Sequence, residues 1–307
     1  MGLWQWKLID AHTHVFEQLC GFGPRGELRP IGGGRARWAN GDEIEMIPPG
    51  LGERSFTADT LAALLRENHV ERAVLLQGSF YGFQNEYVLE SARHYPELFV
   101  PAATCDPFCK EAKYLLHRFI HEMGFRIVKF ETSSGGGLMG YHGDFRIDGD
   151  VFREVFAMIA EAGATLVLDI GSPGMPSFQP EAVAEIAQRH PKMKILVCHL
   201  LAPVLGDYKI LEEGLRILAL PNVWFDLAAV PWNVAPETYP YPTGQGFVKL
   251  ARQTVGAEKL VWGTDVPSPL TRENYENLWR YLYEGNIFSD LELEQVMYKN
   301  AKDVYPL

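Results

Sequence analysis

Two histidines placed two residues apart at the end of an apolar segment are the clearest sign of chemistry in the sequence. The segment Leu8–His14 reads LIDAHTH, and His12 and His14 close it. Side chains on a β-strand alternate between its two faces, so both imidazoles should point to the same side. Two neutral imidazoles held so close together are best stabilised by a metal ion. The motif therefore predicts a metal site at the end of a first strand.

Two further polar residues end apolar segments in the second half of the chain. His199 follows Lys194–Cys198, and Asp265 follows Lys259–Thr264. The position of His199 predicts that it lies at the rim of a sheet rather than in the core. An aspartate after a strand often caps a helix, but the next segment contains two prolines, which disfavour an immediate helix start. Asp265 is thus a second candidate for metal binding or proton transfer.

Eight short β-rich segments, each followed by a helical pattern, supply these residues. They are Lys7–Asp10, Arg72–Gln77, Phe99–Thr104, Phe125–Phe130, Thr165–Ile170, Lys194–His199, Val223–Leu227 and Lys259–Thr264. Strict alternation of strands and helices favours parallel pairing, and eight strands are the number that closes a barrel. The predicted fold class is α/β: a single-domain (β/α)8 TIM barrel with eight parallel strands over residues 1–307. The last strand then neighbours the first, which brings Asp265 toward His12 and His14.

The helices carry recognisable end signals. Asp150 precedes a segment with one apolar face, and Gly163 stands where a C′ glycine would end that helix. Ser177 is a candidate start for the next helix. Ser289 and Glu292 form a capping-box pattern that predicts a last helix running toward the end of the chain.

Two connections are longer than a compact domain usually allows. Residues Val15–Phe56, after the first strand, are rich in glycine, proline and arginine, and Ser133–Gly149, after the fourth strand, contains two glycine clusters. Both follow strands, so both should lie on the face where barrel active sites are found. We expect active-site loops at about residues 15–56 and 133–149, with a lid over the ligand around Gly135–His142. A structural or subunit-contact role for the first loop stays open.

Several separated motifs, in the correct order, resemble the amidohydrolase-related group of the amidohydrolase superfamily. This group includes aminocarboxymuconate-semialdehyde decarboxylase, resorcylate-type decarboxylases and dicarboxylate lactonases. The resemblance covers nearly the whole chain. The motifs are Ile9–His14, Phe99–Ala102 with Asp106-Pro107, Lys129, His199, Phe225-Asp226, Gly263–Pro267 and Asn300-Ala301.

The resemblance implies a role for the two histidines of the first strand and for the residues that end the sixth and eighth strands. His12 and His14 would bind the metal, Asp265 would bind the metal or move a proton, and His199 would polarise the water or the substrate. Relatives usually carry a further histidine ligand at the end of the fifth strand, where this sequence has Asp169. Since carboxylate oxygens also bind these ions, we expect one divalent ion, zinc or manganese, held by two histidines and two aspartates. A degraded site or metal-independent chemistry are the alternatives.

Positive side chains near these loops are the candidates for binding an acidic substrate. Lys129 and Glu131 end the fourth strand, where the conservative interpretation is ion pairing at the rim. Because arginine binds carboxylates in a bidentate manner, Arg37 and Arg54 in the first loop, together with Arg35, are candidate clamps. His142 in the second loop completes the predicted substrate-binding set, alongside Lys129, Arg37 and Arg54.

Three functions fit these residues. The first is hydrolysis of a small carboxylated ester, lactone or amide by metal-activated water, with Asp265 or His199 transferring the proton. The second is non-oxidative decarboxylation of an aromatic or unsaturated acid, which uses the same residues. The third is a non-catalytic ligand-binding barrel, which the unusual Asp169 motivates. Metal-dependent nucleases share the opening motif, but the acidic composition disfavours them.

Composition and charge limit which binding partners and which cellular location are expected for the protein. The net charge of −11 is spread along the 307 residues, so a nucleic-acid partner is not expected and a small-molecule substrate is. The sequence shows no signal-peptide pattern and no apolar run long enough to span a bilayer, which predicts a cytoplasmic protein without a membrane partner. Four cysteines are too few for a disulfide scaffold at this length, and we expect reduced, mostly buried thiols. A homodimer or homotetramer is compatible with the sequence, which does not decide the oligomeric state.

Overall fold

The computed structural model describes residues 7–307, and within them the chain forms twelve β-strands. In chain order they are β1 Leu8–Thr13, β2 Gly21–Gly23, β3 Gly26–Gly32, β4 Arg35–Trp38, β5 Glu43–Glu45, β6 Val70–Leu75, β7 Phe99–Pro101, β8 Ile127–Glu131, β9 Thr165–Asp169, β10 Ile195–Val197, β11 Val223–Asp226 and β12 Leu260–Val261. Eight of them correspond to the eight predicted segments. The other four, β2 to β5, lie in the first long connection.

The eight predicted strands form a parallel barrel. Strands β1, β6 and β7 pair in one set, and β8 to β12 pair in consecutive order in another. Backbone hydrogen bonds join the two sets: the Lys129 amide donates to the Ala103 carbonyl at 2.9 Å, and the Ala11 amide donates to the Trp262 carbonyl at 3.1 Å. The predicted (β/α)8 architecture is confirmed, and its closing seam lies between β12 and β1.

Helices cover the outside of the barrel. They are α1 Ala58–Glu67, α2 Asn85–His94, α3 Ala112–His117, α4 Met139–His142, α5 Asp150–Glu161, α6 Pro180–Arg189, α7 Tyr208–Ile217, α8 Val230–Asn233, α9 Pro242–Val255, α10 Asn277–Glu284, α11 Asp290–Glu294 and α12 Asn300–Val304. None of the helices described in residues 7–307 is both long enough and apolar enough to cross a membrane.

Most of the predicted helix ends are found. Gly163 adopts a φ of +65° after α5, and Ser289 with Glu292 makes the expected capping box at α11. Ser177 is not a cap, however. Helix α6 begins at Pro180 after Gln179, and the Ser177 hydroxyl accepts a hydrogen bond from the Ser134 amide at 3.0 Å. The proline itself sets the start of α6, because its fixed φ suits the first helical turn.

The barrel strands are buried on both faces, as parallel strands covered by helices should be. All six residues of β1 and all five of β9 are buried. Side chains that include Ile9, Ala11, Val167 and Leu196 form a separate inner cluster, which Tyr305 from the end of the chain also contacts. This packed interior holds the strand ends in place around the candidate site.

The first long connection, expected as an active-site loop, contains regular structure that its composition did not predict. Strands β2 to β5 form a four-stranded antiparallel sheet with Leu28 opposite Trp38 and Ala36 opposite Ile44. The strands are short and largely exposed on one face, so the apolar signal in the sequence is weak. Glycines at the turns, such as Gly26 with a φ of +84°, supply the left-handed backbone that the turns require.

The four cysteines are free thiols. Cys105 and Cys198 are buried, whereas Cys20 and Cys109 are exposed, so only half of them occupy the buried environment expected from the sequence.

Candidate functional site

The two histidines of β1 lie at the top of the barrel with one ring nitrogen each already engaged. His14 Nδ1 donates to the Leu76 carbonyl at 2.9 Å, and His12 Nδ1 donates to Asp226 Oδ2 at 3.0 Å. A carbonyl and a carboxylate accept hydrogen bonds, so each Nδ1 carries the proton. Both Nε2 atoms are thereby left with a free lone pair, the form in which imidazole binds a metal.

Asp265 reaches these histidines across the closing seam. Gly263 packs against His12, where a Cβ atom would come within 2.9 Å of the His12 Cβ, and the Asp265 amide donates to the His12 carbonyl at 2.8 Å. Asp265 Oδ1 lies 2.9 Å from His14 Nε2 and 3.4 Å from His12 Nε2. Asp265 has a φ of +66°, a strained conformation for a residue other than glycine. The seam thus places the Asp265 carboxylate beside the Nε2 lone pairs of both histidines.

His199 follows β10 and faces the same centre. Its Nδ1 donates to the Ala228 carbonyl at 3.2 Å, and its ring stacks on His12 with centroids 4.8 Å apart. The free Nε2 lies 3.7 Å from Asp169 Oδ2, while Asp169 Oδ1 accepts a hydrogen bond from the Gly171 amide at 2.8 Å. Asp169, which the sequence placed among the metal ligands, is therefore next to His199 at the end of β9.

Asp226 connects the two sides of the site. Besides accepting from His12, it accepts through Oδ1 from the His199 amide at 2.7 Å and from the Ala228 amide at 3.1 Å. Its side chain is completely buried. The sequence motif contains this residue, but spacing along the chain gave no sign of its partners, because they belong to other strands. Asp226 fixes the His12 tautomer and the backbone that carries His199.

The surrounding charges and burial set the protonation states. Burial and, after it, the Lys129 ammonium lower the pKa of His12 well below its usual value, and burial also lowers the pKa of His14. Burial opposes ionisation of Asp265, but the close contact with His14 and the neighbouring rings of His199 and His12 outweigh it and lower the Asp265 pKa. Neutral imidazoles beside an ionised carboxylate are the states that bind a cation.

His199 behaves differently from the other two histidines. Burial lowers its pKa, but the carboxylates of Asp265, Asp169 and Asp226 outweigh burial and raise the pKa above the usual value. The ring that faces Asp169 is thus the histidine of this site best able to carry a second proton.

Lys129 and Glu131 extend the site below the rim. Lys129 is 3% exposed, so the rim position expected from the sequence is wrong: β8 carries its side chain inward, where burial disfavours the ammonium but neighbouring anionic groups raise its pKa overall. Burial raises the pKa of Glu131 to about 7, although Lys129 opposes the change. Glu131 accepts a hydrogen bond from the Phe80 amide at 3.2 Å. The site therefore contains a carboxyl group that takes up a proton close to neutral pH.

A cavity of about 490 Å³ opens above these residues. Strand β5 and the segment after it contribute to its wall, so the antiparallel sheet borders the site. The lining also includes Trp232 from α8 and Arg272 from the segment after Asp265, neither of which the sequence singled out. The lining comprises His14, Glu43, Ile44, Glu45, Met46, Gly78, Phe80, Tyr81, Lys129, Glu131, Asp169, His199, Trp232, Asp265, Ser268, Thr271 and Arg272.

Three of the predicted substrate-binding residues lie outside this lining within residues 7–307. Arg37 pairs with Glu43 at 2.6 Å, and Arg54 is an exposed residue near the end of the long connection. His142 lies on α4 and pairs with Asp106 at 2.6 Å. Among the predicted substrate-binding residues, the structure brings only Lys129 to the cavity.

The predicted lid segment, Gly135–His142, is anchored at its middle. The Leu138 amide donates to the Glu131 carbonyl at 2.8 Å, and Leu138 and Met139 are buried. Gly137 comes so close to Glu131 that a Cβ atom would lie 2.2 Å from its carbonyl oxygen. The segment packs against β8, and its movement over a ligand stays a prediction.

The donor atoms of three residues fit a metal ion. His12, His14 and Asp265 each offer one ligand atom, and these atoms lie within 4.8 Å of one another. His12 Nε2 is buried and has no hydrogen-bond partner among residues 7–307. An unpaired buried nitrogen beside another lone pair and a carboxylate is costly unless a cation compensates it.

Comparison with known proteins shows which family and which fold the chain shares. A probable 2-pyrone-4,6-dicarboxylic acid hydrolase from Acinetobacter baumannii, with citric acid bound, has a TM-score of 0.69 at 14% identity over 98% of this chain and 100% of that one. An amidohydrolase from Burkholderia multivorans with bound zinc has a TM-score of 0.74 at 17% identity over 98% and 99%. A 5-carboxyvanillate decarboxylase from Sphingomonas paucimobilis has a TM-score of 0.55 at 13% identity over 80% and 82%.

These structures share the barrel fold with the chain. No curated protein sequence matches the chain significantly. The profile of the amidohydrolase family matches residues 9–307, which include all of the histidines and aspartates of the site. The chain belongs to the amidohydrolase family.

Proposed function

We propose that the protein is a metal-dependent hydrolase that acts on a small carboxylated ester, lactone or amide. One observation carries the proposal: three lone pairs, on His12 Nε2, His14 Nε2 and Asp265 Oδ1, converge at the top of the barrel. Both imidazole tautomers are fixed by acceptors on the far side of the ring. In a buried site this arrangement is repulsive without a cation and favourable with one.

A divalent ion fits this set in charge and chemistry. Two imidazole nitrogens and one carboxylate oxygen suit zinc, and manganese accepts the same donors. Asp169 as a fourth ligand stays a prediction, since its free oxygen lies beside His199. When bound, a divalent ion supplies Lewis-acid chemistry, polarising a carbonyl group and lowering the pKa of a water molecule.

The side chains of this chain would then position the substrate and move the proton. Asp265, an acceptor at the edge of the cavity, is placed to take a proton from the attacking water. His199, whose pKa is raised by Asp265 and Asp169 against the effect of burial, is placed to stabilise negative charge on the carbonyl oxygen or to protonate the leaving group. Tyr81 and Phe80 line the neighbouring wall of the cavity.

A decarboxylase is the second candidate, and Glu131 is the observation that favours it. Decarboxylation needs an acid that protonates the carbon atom from which carbon dioxide leaves. Glu131 lines the cavity, and burial raises its pKa to about 7, so this carboxyl group is protonated more easily near neutral pH than an exposed glutamate. The two reactions differ in their products, because only decarboxylation releases carbon dioxide.

Metal analysis of the purified protein tests the site. We expect close to one equivalent of zinc or manganese in the wild type, lost on treatment with a chelator. His12→Ala and His14→Ala should lose the metal and keep the barrel folded, because packed side-chain layers rather than the rim ligands hold the core. His117→Ala, which alters an exposed histidine on α3, is the matched control and should retain the metal. Unchanged metal content in both site variants would refute the proposed ligands.

Product analysis then tests the reaction. Carboxylated lactones and hydroxybenzoates are offered to the metal-loaded protein, and ring opening is measured in parallel with carbon dioxide release. Ring opening without carbon dioxide supports hydrolysis, and the reverse result supports the second candidate. Asp169→Ala separates the two assignments of that residue: a weaker metal affinity identifies a ligand, and an unchanged affinity with altered activity identifies a partner of His199.

A further inference from the structure

Two permanent cations line the cavity, and they differ in their surroundings. Lys129 is buried among Glu131, Asp169 and Asp265, whose charges raise its pKa. Arg272 is exposed, as expected for a position at the mouth of the cavity. Within residues 7–307 its guanidinium contacts the Trp232 ring and pairs with no carboxylate. Arg272 is therefore the cavity cation that a ligand meets at the mouth, whereas Lys129 lies buried beside the proposed metal ligands.

The other arginines near the cavity are neutralised by the protein itself. Arg35 and Arg37 both pair with Glu43, a residue of β5 that lines the cavity wall. A carboxylate ligand would have to displace Glu43 from either arginine, which offsets the gain from the new ion pair. No such competition exists at Arg272.

Trp232 holds Arg272 in place. The guanidinium carbon lies 3.8 Å from the ring centroid, well within the distance of a favourable cation–π contact. Stacking restricts the long side chain before a ligand binds, so less conformational entropy is lost on binding. A cation–π contact uses none of the guanidinium N–H groups as hydrogen-bond donors to oxygen, so a planar, bidentate acceptor can still pair with them.

We propose that Arg272, stacked on Trp232, binds a carboxylate of the substrate that is not part of the bond being cleaved. The inference rests on the proposed function and names its substrate class: small planar esters or lactones that carry a separate carboxylate. Arg272 then anchors one end of the substrate at the mouth, and the scissile carbonyl extends toward the histidines. Trp232 acts as a positioning residue for Arg272.

Binding of isophthalate, a planar aromatic dicarboxylate, tests the anchor independently of turnover. Calorimetry on chelator-treated protein compares the wild type with Arg272→Gln, Arg272→Lys and Trp232→Leu. Loss of a charge-assisted bidentate pair should weaken binding by roughly 10- to 100-fold in Arg272→Gln, with a smaller loss for Arg272→Lys. Trp232→Leu should weaken it by a few-fold. Arg153→Gln, an exposed arginine on α5, is the matched control and should bind as the wild type does.

Kinetics separate this inference from the function on which it rests. With a carboxylated lactone, Arg272→Gln should raise KM by roughly 10- to 100-fold while kcat changes much less, and with the neutral methyl ester of that lactone the rise in KM should shrink to roughly 3-fold or less. Isophthalate that fails to bind the wild type, or binds Arg272→Gln equally well, overturns the anchor. An equal loss of isophthalate affinity in Arg37→Gln or Arg54→Gln also overturns the anchor. A protein that binds isophthalate through Arg272 but hydrolyses no lactone would overturn the proposed function alone.

Discussion

Replacing Asp226 by asparagine tests whether the buried carboxylate sets the metal affinity through the His12 tautomer. The substitution preserves the shape of the side chain. An asparagine oxygen can still accept from the His199 and Ala228 amides at 2.7 and 3.1 Å, but its NH2 group then faces His12 Nδ1 at 3.0 Å. Two donors cannot share that contact, so the ring changes tautomer and places its proton on Nε2.

The magnitude follows from this geometry. A protonated Nε2 has no lone pair for the metal, and binding must restore the unfavourable tautomer against the asparagine NH2 group. Loss of a carboxylate partner behind a metal-bound histidine costs about 10- to 100-fold in metal affinity, or about 1.4–2.7 kcal/mol. The remaining ligands, His14 and Asp265, should keep binding measurable.

Competition with a chromogenic chelator gives the zinc dissociation constant of Asp226→Asn and of the wild type. Asp10→Asn is the matched control, because Asp10 is equally buried at the same seam but contacts Thr264, Tyr275 and the His12 backbone amide rather than a histidine ring. We expect less than about a 3-fold change in zinc affinity in the control, since the His12 tautomer is untouched. Wild-type zinc affinity in a folded Asp226→Asn protein would refute the tautomer argument.

Three further predictions concern stability. Tyr275→Phe removes the donor that lies 2.7 Å from buried Asp10 and should lower the free energy of unfolding by about 1–3 kcal/mol in urea titrations, and an unchanged midpoint would contradict a stabilising bond. Zinc at about 100 times its dissociation constant should stabilise the wild type by about 2.7 kcal/mol, visible as a higher Tm, and should leave the Tm of His14→Ala unchanged. The hydrogen bond with Arg252 and the Ser289 amide lower the pKa of Glu292 to about 2. The stabilisation from Glu292 is therefore complete above the unfolded pKa of this carboxyl and is lost as pH falls through the folded pKa of about 2. Glu292→Gln should therefore cost about 1 kcal/mol at neutral pH and almost nothing near pH 2, and an equal cost at both would exclude ionisation as the cause.

The sequence predicted the barrel well because its strands are buried on both faces. Continuous apolar segments such as those of β1 and β9 are typical of parallel strands and mark where each one ends. Residues at those ends, including His14, His199 and Asp265, could therefore be assigned to one face of the barrel. The antiparallel sheet was missed because its strands are short, half-exposed and interrupted by glycine.

The substrate-binding residues were harder to predict, because charge alone does not show which partner a side chain has. The sequence shows no ion-pair partner for Arg37, but β4 and β5 pair in a register that places it directly opposite Glu43. No sequence motif surrounds Arg272, and only the fold brings it to Trp232. The role of Asp226 likewise depends on contacts with β1 and with the segment that follows β10.

The seam between β12 and β1 has a consequence for how the protein acquires its metal during synthesis. His14 and Asp265 are 251 residues apart in the chain, yet their ligand atoms lie 2.9 Å apart. A nascent chain that has not yet exposed β12 contains both histidines but lacks the third ligand and the strand that holds it in place. Assembly of the full ligand set must therefore follow the emergence of β12 and Asp265 from the ribosome. A bound ion then reports that the first and last strands have joined.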